Sequence, residues 1–418
     1  LLPDPELALY QPAPLPGELL MSDRKSADTP PNLFDPALAA CPHSAYQSLL
    51  DHHPVHRNAI SNAPIISRYE DVMYCLRHPE IFSSDMEEQM SLGTDRPMIP
   101  QQIDPPAQTR YRKLLDPRFS HKRTLELEPS LRASAKALID EFADAGECDF
   151  SQQFAVPLPG QAFLQIYGLP LEGLGHLIEL KDGIIRPQSQ AENPLDSVEV
   201  EDIRKASGRK IYDYVEDLIA ERRSEPREDL MSYLLQVELD GDRLSHNEIL
   251  DISFLFILGG LDTVTASLSC SIAHLATNPE ARKLFSQESK DIDSAIEELL
   301  RWETPVTGIP RLVKKTVTIG DTRIEEGEMV MLLLGAANLD PREFEGADRI
   351  DFDRTRNRHV AFGGGPHRCL GSHLARMELR IGLQEWHRRI PEYRVKDGET
   401  LVYSPGIRDI RHLPLIWN

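Results

Sequence analysis

Phe362-Gly-Gly-Gly-Pro-His-Arg-Cys369-Leu-Gly371 decides the reading of this chain. Three successive glycines let a backbone turn tightly and come close to a flat ring. Cys369 stands just before a helical pattern, where the N-terminal partial charge favours thiolate over thiol. Phe362 can shield the sulfur from water. His367, two residues before the cysteine, can reach an acidic group at a ring edge. One alternative is a Gly-rich loop holding an inert buried thiol. Another is a catalytic cysteine served by His367 or His373. The whole spacing F-x-x-G-x-H-x-C-x-G is far more restrictive than any of its parts.

Working outward, the other cysteines, Cys41, Cys75, Cys148 and Cys270, are scattered and show no CxxC spacing. That argues against a disulfide framework and a structural zinc site. The 418 residues are 40% hydrophobic and 27% charged, an ordinary globular composition. A formal net charge of −21 disfavours nucleic acid and anionic membranes as partners. Residues 1–35 are Pro-rich and expected to form an extended arm. The stretch Leu1 to Met21 carries prolines and acids rather than a signal-peptide pattern. No linker interrupts residues 36–418, which read as one domain, mainly α with small antiparallel β-sheets. A cytoplasmic monomer is expected.

A second stretch is as informative. Ser245 and Glu248 form an S-x-x-E capping box, an apolar pattern runs to about Thr277, and Asn278-Pro279 stops it. Such a helix is a rod of roughly 48 Å. Phe254 to Leu261 is apolar nearly all round, which predicts burial on every side. Asp251 and Asp262 interrupt it, so it lacks a clean membrane-spanning run of about 18 residues. Its centre reads Gly259-Gly-Leu-Asp-Thr263. Each glycine costs a helix about 1 kcal/mol relative to alanine. Either two helices cross closely there, with Asp262 in a core salt bridge, or the helix leaves room for something bound beside it.

The cysteine string resembles the haem-binding signature of the cytochromes P450. Distant segments agree in order. Glu298-Leu-Leu-Arg301 is similar to the family's E-x-x-R, with Arg354 of Asp351-Phe-Asp-Arg354 as its third member. Asn338-Leu-Asp-Pro341 resembles an A-N-x-D-P stretch, with Leu339 where arginine is frequent. Gly259-Gly-Leu-Asp-Thr263 resembles the G-G-x-[D/E]-T motif. Asp104-Pro-Pro-Ala-Gln108-Thr-Arg110-Tyr-Arg112 resembles D-P-P-x-H-x-x-x-R, with Gln108 replacing histidine. The resemblance implies the family's mainly α fold and a haem (heme b, iron protoporphyrin IX) whose iron Cys369 ligates. It implies that Phe362, Gly363, His367 and Gly371 surround that cofactor and that Gln108, Arg112 and Arg311 hold its propionates. Gly259 would leave space above the iron. The Thr263 hydroxyl would bond back toward the Gly259 carbonyl and open the helix locally. Asp262 and Thr263 would be the acid-alcohol pair that delivers protons. In such proteins the thiolate pushes electron density toward the iron, and the protein supplies orientation, protons and exclusion of water.

The chain is most similar to the bacterial camphor-hydroxylating branch, through Gly259 to Val264, Gln384-Glu-Trp386 with Arg389-Ile-Pro391, and Leu413-Pro-Leu-Ile-Trp417. Arg96 stands where that branch has a tyrosine donor, so camphor is not the expected substrate. Arg96, Met98, Leu255, Val306, Thr307 and Ile407 are expected around the pocket, favouring a small to medium apolar substrate, terpenoid-like or a branched fatty compound. Arg96 and Arg408 can face a carboxylate, though solvent is the expected surrounding. The implied reaction is insertion of one atom of molecular oxygen. Neither a ferredoxin cysteine cluster nor a G-x-G-x-x-G fingerprint is present, so electrons are expected from NAD(P)H through a separate reductase and a 2Fe–2S ferredoxin. Arg110, Arg112, Lys113, Arg118, Lys122, Arg123 and Arg368 form the expected docking face. A peroxide-using haem-thiolate peroxygenase and a non-catalytic haem sensor or carrier are the rival readings.

Overall fold

The apolar rod is the centre of the fold. In the computed structural model, which describes residues 29–33, 35–86, 92–286, 292–404 and 406–418, one helix runs from His246 to Thr277. The expected arm lies outside the described residues up to residue 28, and a short helix, Pro36–Ala39, follows it. The capping box forms as read: the Ser245 hydroxyl accepts from the Glu248 N–H, and the Glu248 carboxylate accepts from the Ser245 N–H at 2.6 Å. The helix is long and apolar enough by composition to cross a membrane, yet most of it is buried inside the protein.

The helices around the site are α1 (Tyr69–Arg77), α2 (Ala107–Leu115), α3 (Pro157–Tyr167), α4 (Leu174–Ile185), α5 (Ser197–Ser224), α6 (His246–Thr277), α7 (Ile292–Glu303) and α8 (Ser372–Arg389). The main sheet joins β1 (Val55–Arg57), β2 (Pro64–Ile66), β3 (Phe82–Ser83), β4 (Ile309–Val313) and β5 (Met329–Leu332) in the order β1-β2-β5-β4-β3. Its pairings are antiparallel except β2 with β5, which is parallel. Strands this short cannot form a core alone, and they share an apolar cluster with Val72, Cys75 and Leu76 of α1.

α8 packs against α6 closely enough that a Cβ on Gly382 would lie 2.9 Å from the Leu268 side chain. Fully buried Trp386, on the same helix, meets Phe150 edge-on at 4.7 Å. These two helices enclose the site between them.

The coil 338–368 has no regular hydrogen-bond ladder, so side chains hold it. Glu298 and Arg301 of α7 are fully buried. Glu298 Oε1 accepts from Arg301 Nη2 (2.7 Å) and the Asp351 N–H (2.8 Å). Its Oε2 accepts from Arg301 Nε (2.9 Å), Arg354 Nε (2.9 Å) and Asn357 Nδ2 (3.0 Å). Arg301 Nη1 donates to the carbonyls of Asn338 and Ala347. The Asn338 side chain accepts from the Val360 N–H at 2.7 Å. One buried carboxylate thus anchors the coil that leads into the cysteine loop.

Candidate active site

The cysteine loop is shaped by what lies behind it. Gly365 has φ +62°, and a Cβ there would sit 2.0 Å from the Leu76 carbonyl of α1, so only glycine fits. Gly363 also adopts positive φ (+66°), whereas Gly364 is ordinary extended backbone. The left-handed turn therefore needs two of the three glycines. The Cys369 N–H donates to the Phe362 carbonyl at 2.9 Å, and Arg376 lies 4.3 Å over the Phe362 ring. Burial pushes the Cys369 thiol up; the Gly371 N–H, Arg112, Arg376 and Arg368 oppose that push. At the start of α8 burial and these donors thus act in opposite directions on the sulfur, and a coordinated metal ion deprotonates a thiol outright.

Although deep in the protein, Cys369 is open to a cavity of about 340 Å³ between α6 and α8. Apolar walls come from Val264, Leu300, Ala361 and Leu374. At its edge lie Arg311 on β4, Arg112 on α2, and His367. Arg311 is buried, its Nη1 donates to the Pro310 carbonyl at 2.7 Å, and burial pulls its pKa down to about 10. His367 Nε2 is buried without a partner among the described residues. Burial, reinforced by Arg311, lowers that imidazole to about 4. An under-compensated buried cation beside an orphaned ring nitrogen calls for an anion. Propionates on a flat ring lying against Cys369 meet that need, so these residues fit a haem.

Gln108 and Arg112 also line the cavity but already have work. Gln108 Nε2 donates to the Pro366 carbonyl at 2.6 Å. Arg112 Nη1 donates to the Arg368 carbonyl at 2.8 Å, and its Nε pairs with Asp116 at 2.8 Å. Both brace the cysteine loop against α2. Glu378 of α8 is the only carboxylate among the described cavity-lining residues, and burial raises its pKa well above the usual range.

On the opposite wall, the Thr263 hydroxyl donates to the Gly259 carbonyl at 3.3 Å, as expected. The helix nevertheless runs unbroken through this segment, so the expected local opening is absent. The two glycines differ. A Cβ on Gly259 would meet nothing within 4 Å, whereas one on Gly260 would come 3.3 Å from the Phe163 ring of α3. Gly259 leaves cavity space; Gly260 permits a close helix crossing. Thr263 lines the cavity and Asp262 does not. Asp262 is buried and held by Lys181 Nζ (2.5 Å) and Arg186 Nη1 (2.8 Å).

The expected pocket residues divide. Leu255 and Val306 line the cavity. Arg96 does not: its Nε and Nη2 fork onto Asp251 at 2.6 and 3.0 Å, and Asp251 also accepts from the Tyr212 phenol. Met98 is buried in the apolar core near α5, its N–H donating to Gln102. The Thr307 hydroxyl donates to the Gly406 carbonyl, and Ile407 forms a bridge with Val306, so neither reaches the cavity. Arg408 is buried against Glu303 and the backbone carbonyls of Ala39 and Ala40, neither in the pocket nor in solvent. Of the expected docking face, Arg110 is engaged by Asp242 and Glu248, and Arg123 by Glu126. The reading missed Lys181, Arg186 and Glu378. No local signal marks the first two, because their partner lies some 80 residues away along the chain.

The Cytochrome P450 family model matches residues 195–389. A probable cytochrome P450 127A1 of Sinorhizobium fredii is 36% identical, with 84% of this chain and 83% of that protein covered. The steroid C26-monooxygenase of Mycobacterium tuberculosis is 32% identical, covering 90% and 93%. Among solved structures, the Bacillus subtilis cytochrome P450 PksS of bacillaene polyketide synthesis superposes with a TM-score of 0.83 at 27% identity, covering 92% of this chain and 99% of that one. The cysteine loop, its buried carboxylate anchor and these relatives agree: the chain belongs to the cytochrome P450 family, as a haem-thiolate monooxygenase carrying haem b.

Proposed function

We propose that this enzyme oxygenates a small to medium apolar substrate, terpenoid-like or a branched fatty compound, with electrons from a separate ferredoxin and its NAD(P)H-dependent reductase. The observation that carries the substrate reading is the apolar lining of the cavity: Leu255, Phe256, Pro305, Val306, Ile309 and Leu334 offer a substrate almost no hydrogen-bonding groups. Such a wall selects by apolar area, at roughly 25 cal/mol per Å². With Arg96 tied to Asp251, no donor from that position faces a ketone, which supports weak preference for camphor. The name of the mycobacterial relative favours including steroids among the compounds tested. Optical titration with a panel of terpenes, steroids and branched fatty acids tests this reading: apolar compounds are expected to displace water from the iron and shift the spin state. A panel in which only polar compounds shift the spectrum, or tight camphor binding, overturns it.

The bound haem supplies oxygen activation. Cys369 would give it a sulfur ligand, whose negative charge the Gly371 N–H would favour. Arg311 and His367 would hold its propionates, together with the Arg112 N–H groups not engaged by Arg368 and Asp116. The Thr263 hydroxyl presents a proton on the oxygen side, Asp262 behind it exchanges protons with solvent, and the apolar wall excludes bulk water. Thr263→Ala is expected to divert at least half of the consumed NAD(P)H to hydrogen peroxide while substrate affinity stays the same. Unchanged coupling favours the sensor reading, and undiminished turnover with peroxide alone favours the peroxygenase.

Lys113, Lys122 and Arg368 are exposed cations beside the cysteine loop with no ion-pair partner among the described residues. They support docking of an acidic ferredoxin there, in a cytoplasmic monomer. Affinity for a 2Fe–2S ferredoxin is then expected to fall steeply with salt; a salt-independent affinity overturns this.

A further inference from the structure

Asp262 opens away from the haem cavity, into a second chamber of about 30 Å³. That volume holds a single water. The charged groups around it are Lys181 and Asp182 of α4, Arg186 just beyond, Asp262 of α6, and Asp409 and Arg411 from the C-terminal segment. Three cations thus face three carboxylates. Lys181 Nζ lies 2.5 Å from Asp262 and 2.7 Å from Asp182. Arg186 is divided: Nη1 reaches Asp262 at 2.8 Å and Asp182 at 3.1 Å, while Nη2 reaches Asp409 Oδ2 at 2.7 Å. Arg411 Nη2 lies 3.3 Å from Asp182. The other oxygen of Asp409, Oδ1, is buried with no hydrogen-bond partner among the described residues.

Asp409 therefore takes one end of the Arg186 guanidinium. Without it, that planar fork would close on Asp262 with two parallel N–H bonds, the strongest arrangement available to the pair. Asp262 already receives Lys181 and one Arg186 nitrogen, so a second nitrogen from Arg186 would hold it more tightly and hinder its turning or exchanging a proton.

We propose that Asp409 is a positioning residue for proton delivery: it holds Arg186 partly off Asp262 and gives the chamber a polar wall for the water that recharges this acid. The idea rests on the proton-donor role of Asp262 stated above. A solvent proton is relayed through the chamber water, which gives one proton to the Asp262 carboxylate as it takes another from solvent; Asp262 then passes a proton on toward Thr263 and returns to the carboxylate, leaving the water unchanged. No further reactant is needed.

The test uses holoenzyme and molecular oxygen alone, without a substrate. Wild type, Asp409→Asn and Asp409→Glu are first reduced and exposed to carbon monoxide. A band typical of sulfur-ligated haem in all three separates this question from the haem reading itself, whose failure would show as no such band in wild type. Reduced protein is then mixed with aerated buffer in H2O and in D2O, and the return of the ferric spectrum is timed from pH 6 to 9. Asp409→Asn is expected to slow that return roughly tenfold at pH 7, below the 10²–10⁴ supplied by a direct acid-base group. Its solvent isotope ratio is expected to exceed that of wild type, with Asp409→Glu recovering most of the rate. In a crystal structure of ferric Asp409→Asn, both Arg186 terminal nitrogens are expected on Asp262. An unchanged rate, or a slower rate with an unchanged isotope ratio, overturns the proposal.

Discussion

Arg311 shows what a single residue gives up for a cofactor. Its guanidinium is buried, has one backbone acceptor and is pulled down to about 10 by burial. Removing such a charge stabilises a protein that has nothing to pair with it, and destabilises one that has. Arg311→Leu is therefore expected to make haem-free protein about 1–2 kcal/mol more stable than haem-free wild type. It is also expected to weaken haem retention, measured as the rate of transfer to an acceptor such as apomyoglobin. A haem-free variant less stable than wild type would show that Arg311 serves packing. Cys369 is the other residue whose role stands alone: Cys369→Ser is expected to bind haem without developing the carbon monoxide band of a sulfur ligand. Both residues are visible in the sequence, but only their burial shows which charges lack partners.

At the scale of elements, the question is how a coil with no ladder keeps Cys369 in place. Glu298 receives five donors from α7 and the coil. Breaking a buried ion pair by removing one partner costs about 3–5 kcal/mol. Glu298→Ala is expected to lower stability by that amount in urea denaturation and to lose haem on purification. Arg354→Lys, which keeps the charge but not the planar fork, is expected to cost less, at about 1–2 kcal/mol. No loss in Arg354→Lys would mean that charge alone matters, and a loss equal to that of Glu298→Ala would mean that the planar fork is indispensable. The i, i+3 spacing of Glu298 and Arg301 and the motif around Arg354 were legible. That the pair closes on Asp351, Asn357 and the carbonyl of Asn338 was not, because nothing in a local pattern says which coil returns to which helix. The long helix was legible almost to the residue, since its cap, apolar run and stop are local. Its expected opening at Thr263 failed because the 3.3 Å back-bond forms without breaking the backbone ladder.

For the whole molecule, acid stability follows from its buried imidazoles. His43, stacked on Trp302 at 4.0 Å, and His387, bonded to the Leu383 carbonyl and the Tyr393 phenol, are both lowered by burial to about 4. Each is neutral when folded, while in the unfolded chain it takes a proton near pH 6.5. Above that pH neither state binds the proton and the two groups have no effect. As pH falls from 6.5 to 4 the unfolded chain is increasingly favoured, by up to about 3 kcal/mol per group. Melting temperature is expected to drop steadily over this window and less steeply in His387→Gln. Glu297, which Arg376 and His359 hold at about 2 against the opposing effect of burial, adds a second loss between pH 4.5 and 2. A flat profile from pH 7 to 5 would contradict the buried, neutral state of the two histidines.

What the sequence determined alone is whatever short-range geometry enforces: the cysteine loop, whose turn takes positive φ at Gly363 and Gly365; the capped apolar rod; and the glutamate-arginine pair one helical turn apart. Those follow from backbone sterics and helix periodicity, which act over a few residues. The tertiary structure alone decided where charges go. It took Arg96 and Arg408 out of the pocket, turned Asp262 from the haem side toward Lys181 and Arg186, and set Asp409 beside them, because a buried charge takes whichever opposite charge folding brings within 3 Å, however far away it lies along the chain.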